Sequence, residues 1–268
     1  MPALHEEKPK SFIDFISYIE KIREKSTNSL WYRGCGNSNH KLDPRLFRHK
    51  KIKTIKELVE LEFGLMTRFK QRSIPYHDKS LTDDLESLFF MQHYGIPTRL
   101  LDWTESPFIA FYFAVMLARF DYDGTRIRFE NSASVWILDP VKWNRHALRH
   151  ERFDKGILST SDEQLKGYKP TTKFTGMNNL PVALYGAHNS PRIVAQRGVF
   201  TIFGENMSPM EQLYISENFP SNCLIKVTLN KSFLPKMRKA ILNHGITESV
   251  VFPDLRGLAK EIRRTFEF

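Results

Sequence analysis

The chain has 268 residues, of which 41% are apolar and 21 are phenylalanines, enough for one large hydrophobic core or two small ones. A formal net charge of +10 favours polyanionic partners in general, and it does not choose among nucleic acid, phosphorylated ligands and acidic surfaces. The apolar run at 108–118 is too short to span a bilayer, and no secretory signal is visible, so we expect no membrane partner.

Capping residues and apolar spacing predict helices through most of the first 120 residues. The first helix begins at Ser11, after a loose tail over residues 1–10. A second helix begins near Thr54. A third follows Thr82 and ends at Gly95, a residue type that favours the left-handed conformation just past a helix.

Strands with intervening helices dominate the rest of the chain. Ser106 and Pro107 are a cap and a first-turn proline, and they open an apolar helix that continues to Phe120. Residues 151–181 are irregular and predict a long excursion or lid. We predict a single α+β domain over residues 11–268, with a helical N-terminal layer packed on a mixed or antiparallel sheet. The predicted strands are 29–36, 98–103, 133–139, 198–204, 222–229 and 246–252, and the later helices are 140–150, one from Ser208, 232–245 and 253–264.

Polar side chains are dense around the turn that joins the third helix to the next strand. His93 and Tyr94 lie at a helix end, where the carbonyl dipoles favour protonated histidine and predict a raised pKa. Asp102 and Thr104 leave a strand just before a helix N-terminus, which favours anions. The alternative is structural: Asp102 or Ser106 caps the helix, and His93 is a hydrogen-bonded histidine of the core.

The triplet Tyr32-Arg33-Gly34 lies on a predicted strand. The planar fork of an arginine can hold a phosphate or a ribose diol, and a following glycine lets backbone approach closely. The alternative is an ion pair of Arg33 with Asp43 or Asp102.

A third polar group lies near the C-terminus. Arg192 and Gln196 precede a predicted strand, and Asp254 follows one. Asp254 is either an acid of the site or the cap of the last helix.

The sequence lacks the motifs of several common binding and catalytic sites. The sequence contains no GxGxxG after a strand, no P-loop, no HExxH and no GxSxG. Cys35 and Cys223 allow at most one disulfide and make no zinc site alone, so we expect free thiols, a cytoplasmic protein, no metal and no bound cofactor. The basic stretch at 45–53 is either a solvated face or part of a nucleic-acid groove.

Four segments, "WYRGCG", "QHYGIPTRLLDWTESPFIAFYFA", "PRIVAQRGVFTI" and "GITESVVFPDLRGLAKEI", resemble successive motifs of the FRG domain family. That family is named for an aromatic–Arg–Gly triplet, here Tyr32 to Gly34, and the resemblance extends from about residue 11 to 263. The sequence departs from the pattern at Tyr32, where the family has Phe, and at Arg197 and Arg256, where glutamine and an acid are commoner.

The same pieces resemble, more distantly, those of ADP-ribosyltransferase-like folds. There an aromatic–Arg–Gly strand holds NAD, a second strand leads into a helix rich in Ala and Phe, and a third strand carries the catalytic glutamate. This resemblance implies NAD as a substrate, but Arg192 stands about where that glutamate would be.

Two functional hypotheses stay open. The first is an enzyme that handles a nucleotide, a transferase or glycohydrolase acting on NAD or a related dinucleotide. The second is a catalytically silent module that binds a nucleotide or nucleic acid as a sensor or defence component. The predicted catalytic residues are His93 and Asp102; the predicted nucleotide-binding residues are Tyr32, Arg33, Gly34, Tyr94 (by stacking), Thr98, Arg99, Thr104, Arg192 and Gln196; and two further candidate acids are Glu248 and Asp254.

Overall fold

The protein is built around a seven-stranded sheet, accompanied by a two-stranded hairpin. The computed structural model describes residues 3–77, 81–122, 127–151, 153–170, 176–187 and 190–268. In chain order the strands are β1 (His5–Glu7), β2 (Trp31–Cys35), β3 (Leu100–Thr104), β4 (Phe120–Tyr122), β5 (Ile127–Phe129), β6 (Ala133–Leu138), β7 (Val182–Leu184), β8 (Gly198–Ile202) and β9 (Leu224–Leu229).

The sheet is mixed. Its order is β1-β9-β6-β2-β3-β8-β7, and neighbouring strands are antiparallel except for β1 and β9, which are parallel. Strands β4 and β5 form the hairpin. The prediction of an α+β protein with a mixed sheet is therefore confirmed.

Helices cover both faces of the sheet. They are α1 (Phe12–Lys25), α2 (Ile55–Ser73), α3 (Asp84–His93), α4 (Pro107–Met116), α5 (Pro140–Ala147), α6 (Pro191–Ala195), α7 (Met210–Ser216), α8 (Leu234–Asn243), α9 (Glu248–Val251) and α10 (Leu255–Thr265).

The apolar residues form two cores, one on each face. Adjacent residues of β2 alternate between them: Trp31 packs with α2, α3, α5 and α7, whereas Tyr32 packs with α1, α4 and α8. The prediction of one helical N-terminal layer is wrong in this respect, because the first four helices are divided between the two faces. The central strands are apolar on both sides, so each side needs a covering layer.

The short-range signals predicted the helix ends well. The Ser11 hydroxyl accepts a hydrogen bond from the Asp14 N–H at 3.0 Å, and Ser106 caps α4 ahead of Pro107. Gly95 follows α3 with φ of +78°, as predicted for a residue just past a helix. The cap of α3 is Asp83, one residue beyond the predicted Thr82.

Two segments differ from prediction. Residues 5–7, expected in a loose tail, form β1 because β9 would otherwise be an edge strand with unpaired main-chain groups, and in the resulting ladder His5 pairs with Ile225. The segment 246–252, expected as a strand, contains the one-turn helix α9, in which the Val251 N–H donates to the Thr247 carbonyl at 3.1 Å. Its β-branched residues favour a strand, but burial of Val251 and Glu248 overrides that preference.

The apolar helix and the long excursion also end differently from prediction. Helix α4 ends at Met116, and Phe120 already belongs to β4. Within 151–181, a 3₁₀ helix at Glu163–Tyr168 buries Leu165 and Tyr168 against the core. Residues 152 and 171–175 of this predicted excursion lie outside the described residues.

Candidate functional site

The sheet opens between its two central strands. Strand β2 pairs five residues with β6, and β3 pairs five with β8, but the ladder between β2 and β3 holds one residue pair, Tyr32 with Thr104. A cavity of about 230 Å³ lies at this opening, lined by residues of β2, α3, β3, α4, α6 and β8. The predicted site residues that line it are Tyr32, Arg33, Gly34, His93, Asp102, Thr104, Arg192 and Gln196.

Arg33 bridges the opening. Its Nη1 donates a hydrogen bond to the main-chain carbonyl of Asp102, so the guanidinium is fixed across the gap between the strands. Its Nε is buried and has no hydrogen-bond partner among the described residues. A buried N–H without a partner is costly, and a polar group of a ligand would satisfy it. The predicted ion pair with Asp43 or Asp102 is not formed, since the contact is to a carbonyl and Asp43 pairs with Arg48.

Gly34 lines the cavity, but its missing side chain serves the packing of α4. A Cβ at Gly34 would lie 1.9 Å from the carbonyl oxygen of Ala110 and 2.6 Å from the nitrogen of Ala114. The backbone of α4 therefore occupies the space that a side chain would need. The glycine is required for a helix to cross β2 at this distance.

A network of side-chain hydrogen bonds holds the Asp102 carboxylate. Gln92 Nε2 donates to Asp102 Oδ2 at 2.9 Å, and Thr98 Oγ1 donates to Gln92 Oε1 at 2.8 Å. Thr98 is buried and positions Gln92, so it does not line the cavity as predicted. Gln92 does line it and was not predicted.

Burial and two nearby charges set the protonation of His93. Burial lowers the pKa of His93, the positive charge of Arg192 lowers it further, and the negative charge of Asp102 opposes both. The predicted rise in the pKa is therefore wrong, because desolvation and Arg192 outweigh the helix-end dipole. A neutral imidazole at pH 7 can accept a proton, which is the form that a general base needs.

We expect the pKa of His93 to respond in opposite directions to two substitutions. Arg192→Gln removes a cation and should raise the pKa, whereas Asp102→Asn removes an anion and should lower it further. The measurement is an NMR titration of the imidazole Cε1 proton, assigned by its loss in His93→Gln. Equal pKa values in all three proteins would contradict the placement of the two charges around the ring.

Helix α6 forms one wall of the cavity and packs against α9. The guanidinium of Arg192 lies over the ring of Phe252 at 4.8 Å, a cation–π contact. Gln196 Nε2 donates to the Val251 carbonyl at 3.1 Å, and Thr104 Oγ1 donates to the Gln196 carbonyl at 2.6 Å. The side chains of Arg192 and Gln196 are thus held against Phe252 and Val251, and the main chain at Gln196 is held to β3.

Residues 28–121 match the FRG domain family model. These residues form an FRG domain. No curated protein and no solved structure matches the chain, and the resemblance to ADP-ribosyltransferases receives no support.

The FRG domain supplies most of the polar lining of the cavity. Arg33, Gln92, His93 and Asp102 lie inside the matched range, whereas Arg192 comes from later in the chain. The opening between β2 and β3 therefore lies within the matched residues, and the remainder of the chain closes one side of it.

Arg99 of the FRG domain has a structural role. It is fully buried, and its Nε donates to Glu62 Oε2 at 2.8 Å. Its other nitrogens donate to the carbonyls of Phe203 and Tyr168. The prediction that Arg99 binds nucleotide is wrong, because its hydrogen bonds are used inside the core and it does not line the cavity.

Tyr94 lies outside the cavity. Its side chain is 64% exposed and contacts the rings of Phe90 and His93 at one edge of a separate surface groove. Stacking of Tyr94 on a ligand ring stays a prediction, and such a ring would lie outside the cavity, because His93 lines the cavity and Tyr94 lines the separate groove.

The two further candidate acids are structural. Glu248 is buried and pairs with Arg264, whose Nε lies 2.8 Å from Glu248 Oε1. Asp254 caps α10, with its Oδ1 accepting from the Gly257 N–H at 2.7 Å. Asp102 is the carboxylate that lines the cavity among the described residues.

Apolar side chains complete the lining and were missed by the sequence analysis. Helical periodicity could have found two of the missed residues, because Phe89, Gln92 and His93 stand at i, i+3 and i+4 on one face of α3. The apolar lining residues are Phe89, Trp103, Phe113, Leu117, Ile193 and Phe200.

The basic stretch 45–53 lines a different, larger groove of about 780 Å³. Phe47, the aromatic residue that could have stacked on a base, is buried in the core. Arg45 donates to the Gly95 carbonyl at 3.1 Å and Lys53 to the His49 carbonyl at 2.9 Å. Nucleic acid as a partner stays a prediction, and this groove offers it charge without a stacking platform.

The two cysteines are buried, and the described residues contain no candidate metal cluster. Cys35 and Cys223 are free and buried, as expected. Burial raises the pKa of Cys35 and raises that of Cys223 to about 12, so both remain thiols at neutral pH. Across the described ranges, no group of three or more His, Cys, Asp or Glu residues could hold a metal, and no helix is long and apolar enough to cross a membrane.

Proposed function

We propose that the cavity binds the phosphate-bearing part of a nucleotide and that the protein acts on or senses that nucleotide. The observation that carries the proposal is Arg33, whose guanidinium donates through Nη1 to the Asp102 carbonyl and whose buried Nε has no partner among the described residues. Fixing the group before binding reduces the entropy that is lost when the ligand is held.

The charge at the cavity supports an anionic ligand. Arg33 and Arg192 line it together with one carboxylate, Asp102, whose Oδ2 already accepts from Gln92. Planar guanidinium groups match phosphate oxygens by paired hydrogen bonds. The apolar lining supports a ring or sugar beside the phosphate.

The size of the cavity favours a ligand that is only partly enclosed. Pockets that enclose a drug-sized ligand measure roughly 300–1,000 Å³, and this one measures about 230 Å³. A dinucleotide such as NAD would place one phosphate and an adjoining group inside, with the remainder on the surface.

Two versions of the proposal differ in chemistry. In the first, a neutral His93 and the Asp102 carboxylate supply acid–base or electrostatic help to a glycohydrolase or transferase that uses NAD. In the second, the module binds without turnover. The second is favoured by Arg192, because a cation opposes an oxocarbenium-like transition state and favours a bound pyrophosphate.

Replacing Arg33 by Lys should weaken binding of ADP-ribose almost as much as replacing it by Ala. An ammonium cannot reproduce the fork, and a hydrogen bond to a charged group contributes about 1.5–3 kcal/mol, or roughly 10- to 150-fold in affinity. Calorimetry would measure it. The matched control is Arg145→Lys, since Arg145 also donates to a main-chain carbonyl but lies on α5, outside the cavity. Unchanged affinity in Arg33→Lys would contradict the role of Arg33.

Incubation with NAD separates the two versions. Release of nicotinamide that is lost in Asp102→Asn supports the enzyme, and the Asn variant keeps the main-chain carbonyl that holds Arg33. Tight binding of ADP-ribose without release of nicotinamide supports the silent module.

A further inference from the structure

Helix α10 packs on the protein through its polar face. Gly257 is its buried residue, and a Cβ there would lie 1.9 Å from the Phe252 carbonyl oxygen. On the same side Arg264 pairs with Glu248, and Glu261 Oε2 accepts from the Ser249 N–H at 3.0 Å. A surface helix normally buries its apolar face and exposes its polar one, so this orientation is reversed.

The apolar face of α10 is exposed to solvent. Leu255 is 83% exposed, Leu258 44%, Ile262 49% and Phe266, just after the helix, 68%. These residues stand at i, i+3, i+7 and i+11, so they form one stripe along the helix axis. An exposed stripe of large apolar side chains indicates a surface that is covered by something else.

Basic residues border the stripe on one side. Arg256 and Arg263 each follow a stripe residue by one position, which places them about 100° around the helix from it. Both side chains are exposed. Lys260 lies between them in sequence, with its Nζ 5.8 Å from the centre of the Phe252 ring. The apolar stripe together with these three residues is called the α10 face below.

We propose that the α10 face docks on the surface of a lipid bilayer that contains anionic lipids. A basic helix with Leu, Ile and Phe along one side is typical of helices that lie in the interfacial plane of a membrane. The expectation of no membrane partner rested on spanning segments and a secretory signal, and a helix that lies on the surface needs neither.

The way in which α10 is attached to the protein favours a binding partner with a flat surface. Gly257, Glu261 and Arg264 stay against the protein, so the helix can offer only its outer side. A partner with an enclosing groove would have to surround the helix, whereas a bilayer contacts one side. A second copy of the chain would bring like charges together, because each copy carries a net charge of +10.

Co-sedimentation with vesicles tests this proposal on the whole chain. The probes are vesicles of phosphatidylcholine alone and of phosphatidylcholine with an equal part of phosphatidylserine. We expect binding to the anionic vesicles only, with a decrease as salt is raised. Arg256→Gln with Arg263→Gln should weaken binding by roughly 25-fold, because each basic residue near an anionic surface contributes about fivefold. The charge-matched control is Lys236→Gln with Lys239→Gln, two exposed lysines of α8.

The stripe is tested separately. Leu255→Ser with Ile262→Ser should reduce binding at least tenfold, since insertion of apolar side chains contributes with the charge. Both residues are exposed, so the melting temperature should stay unchanged. Emission of a Phe266→Trp variant should shift to the blue with anionic vesicles. Absence of wild-type binding, binding unaffected by the serine substitutions, or a concentration-dependent dimer that these substitutions abolish would each overturn the proposal.

Discussion

Glu62→Ala is expected to lower the free energy of unfolding by about 3–5 kcal/mol, since removing one partner of a buried ion pair leaves the other charge uncompensated. Glu62 and Arg99 are both fully buried, and the main-chain N–H of Arg99 also donates to Glu62 Oε1 at 2.7 Å. Arg99 further links β3 to the carbonyls of Phe203 and Tyr168. The pair therefore joins α2, β3 and the segment after β8 inside one core.

Urea unfolding measures this loss. The control is Glu20→Ala, which removes a partner of Arg23 in an exposed pair and should change little. A loss in Glu62→Ala no larger than in Glu20→Ala would contradict the structural role assigned to Arg99.

Gly34→Ala is expected to destabilise the protein by about 3 kcal/mol or more, at the upper end of the range for overpacking. The added Cβ would meet backbone atoms of Ala110 and Ala114, which cannot move without displacing α4 from β2. The displacement would also disturb the opening between β2 and β3, so ligand binding should fall with stability.

The chain offers a matched control in Gly64, an exposed residue of α2. A Cβ at Gly64 would meet nothing within 4 Å. Gly64→Ala should therefore stabilise the protein by up to about 1 kcal/mol, because alanine favours the helix. Thermal unfolding of both variants decides the matter, and a Gly34→Ala protein as stable as the wild type would contradict the close packing of α4 on β2.

Sequence patterns predicted the features that depend on neighbours in the chain. The caps at Ser11 and Ser106 and the glycine at 95 act over three or four residues, and the structure has them as predicted. Features that depend on residues far away in the sequence were not predicted. The partner of Arg99 lies 37 residues away, and β1 forms because β9 is beside it.

The candidate site follows the same division. Arg33, His93, Asp102 and Arg192 were selected because they stand at the ends of predicted elements, and the fold brings all four to one cavity. The sequence could not show that Arg99 points into the core while Asp102 stays outside, since that depends on the strand register with β8. Nor could it give the protonation of His93, since its pKa depends first on its burial and then on how close Arg192 comes.

The central claim, that Arg33 holds a phosphate of a nucleotide, is tested most directly by a crystal structure of the protein with ADP-ribose. We expect a phosphate oxygen within hydrogen-bonding distance of Arg33 Nε, with the Nη1 contact to the Asp102 carbonyl kept and Arg192 on the other side of the pyrophosphate. ADP-ribose bound elsewhere, or bound in the cavity with Arg33 Nε still without a partner, would contradict it.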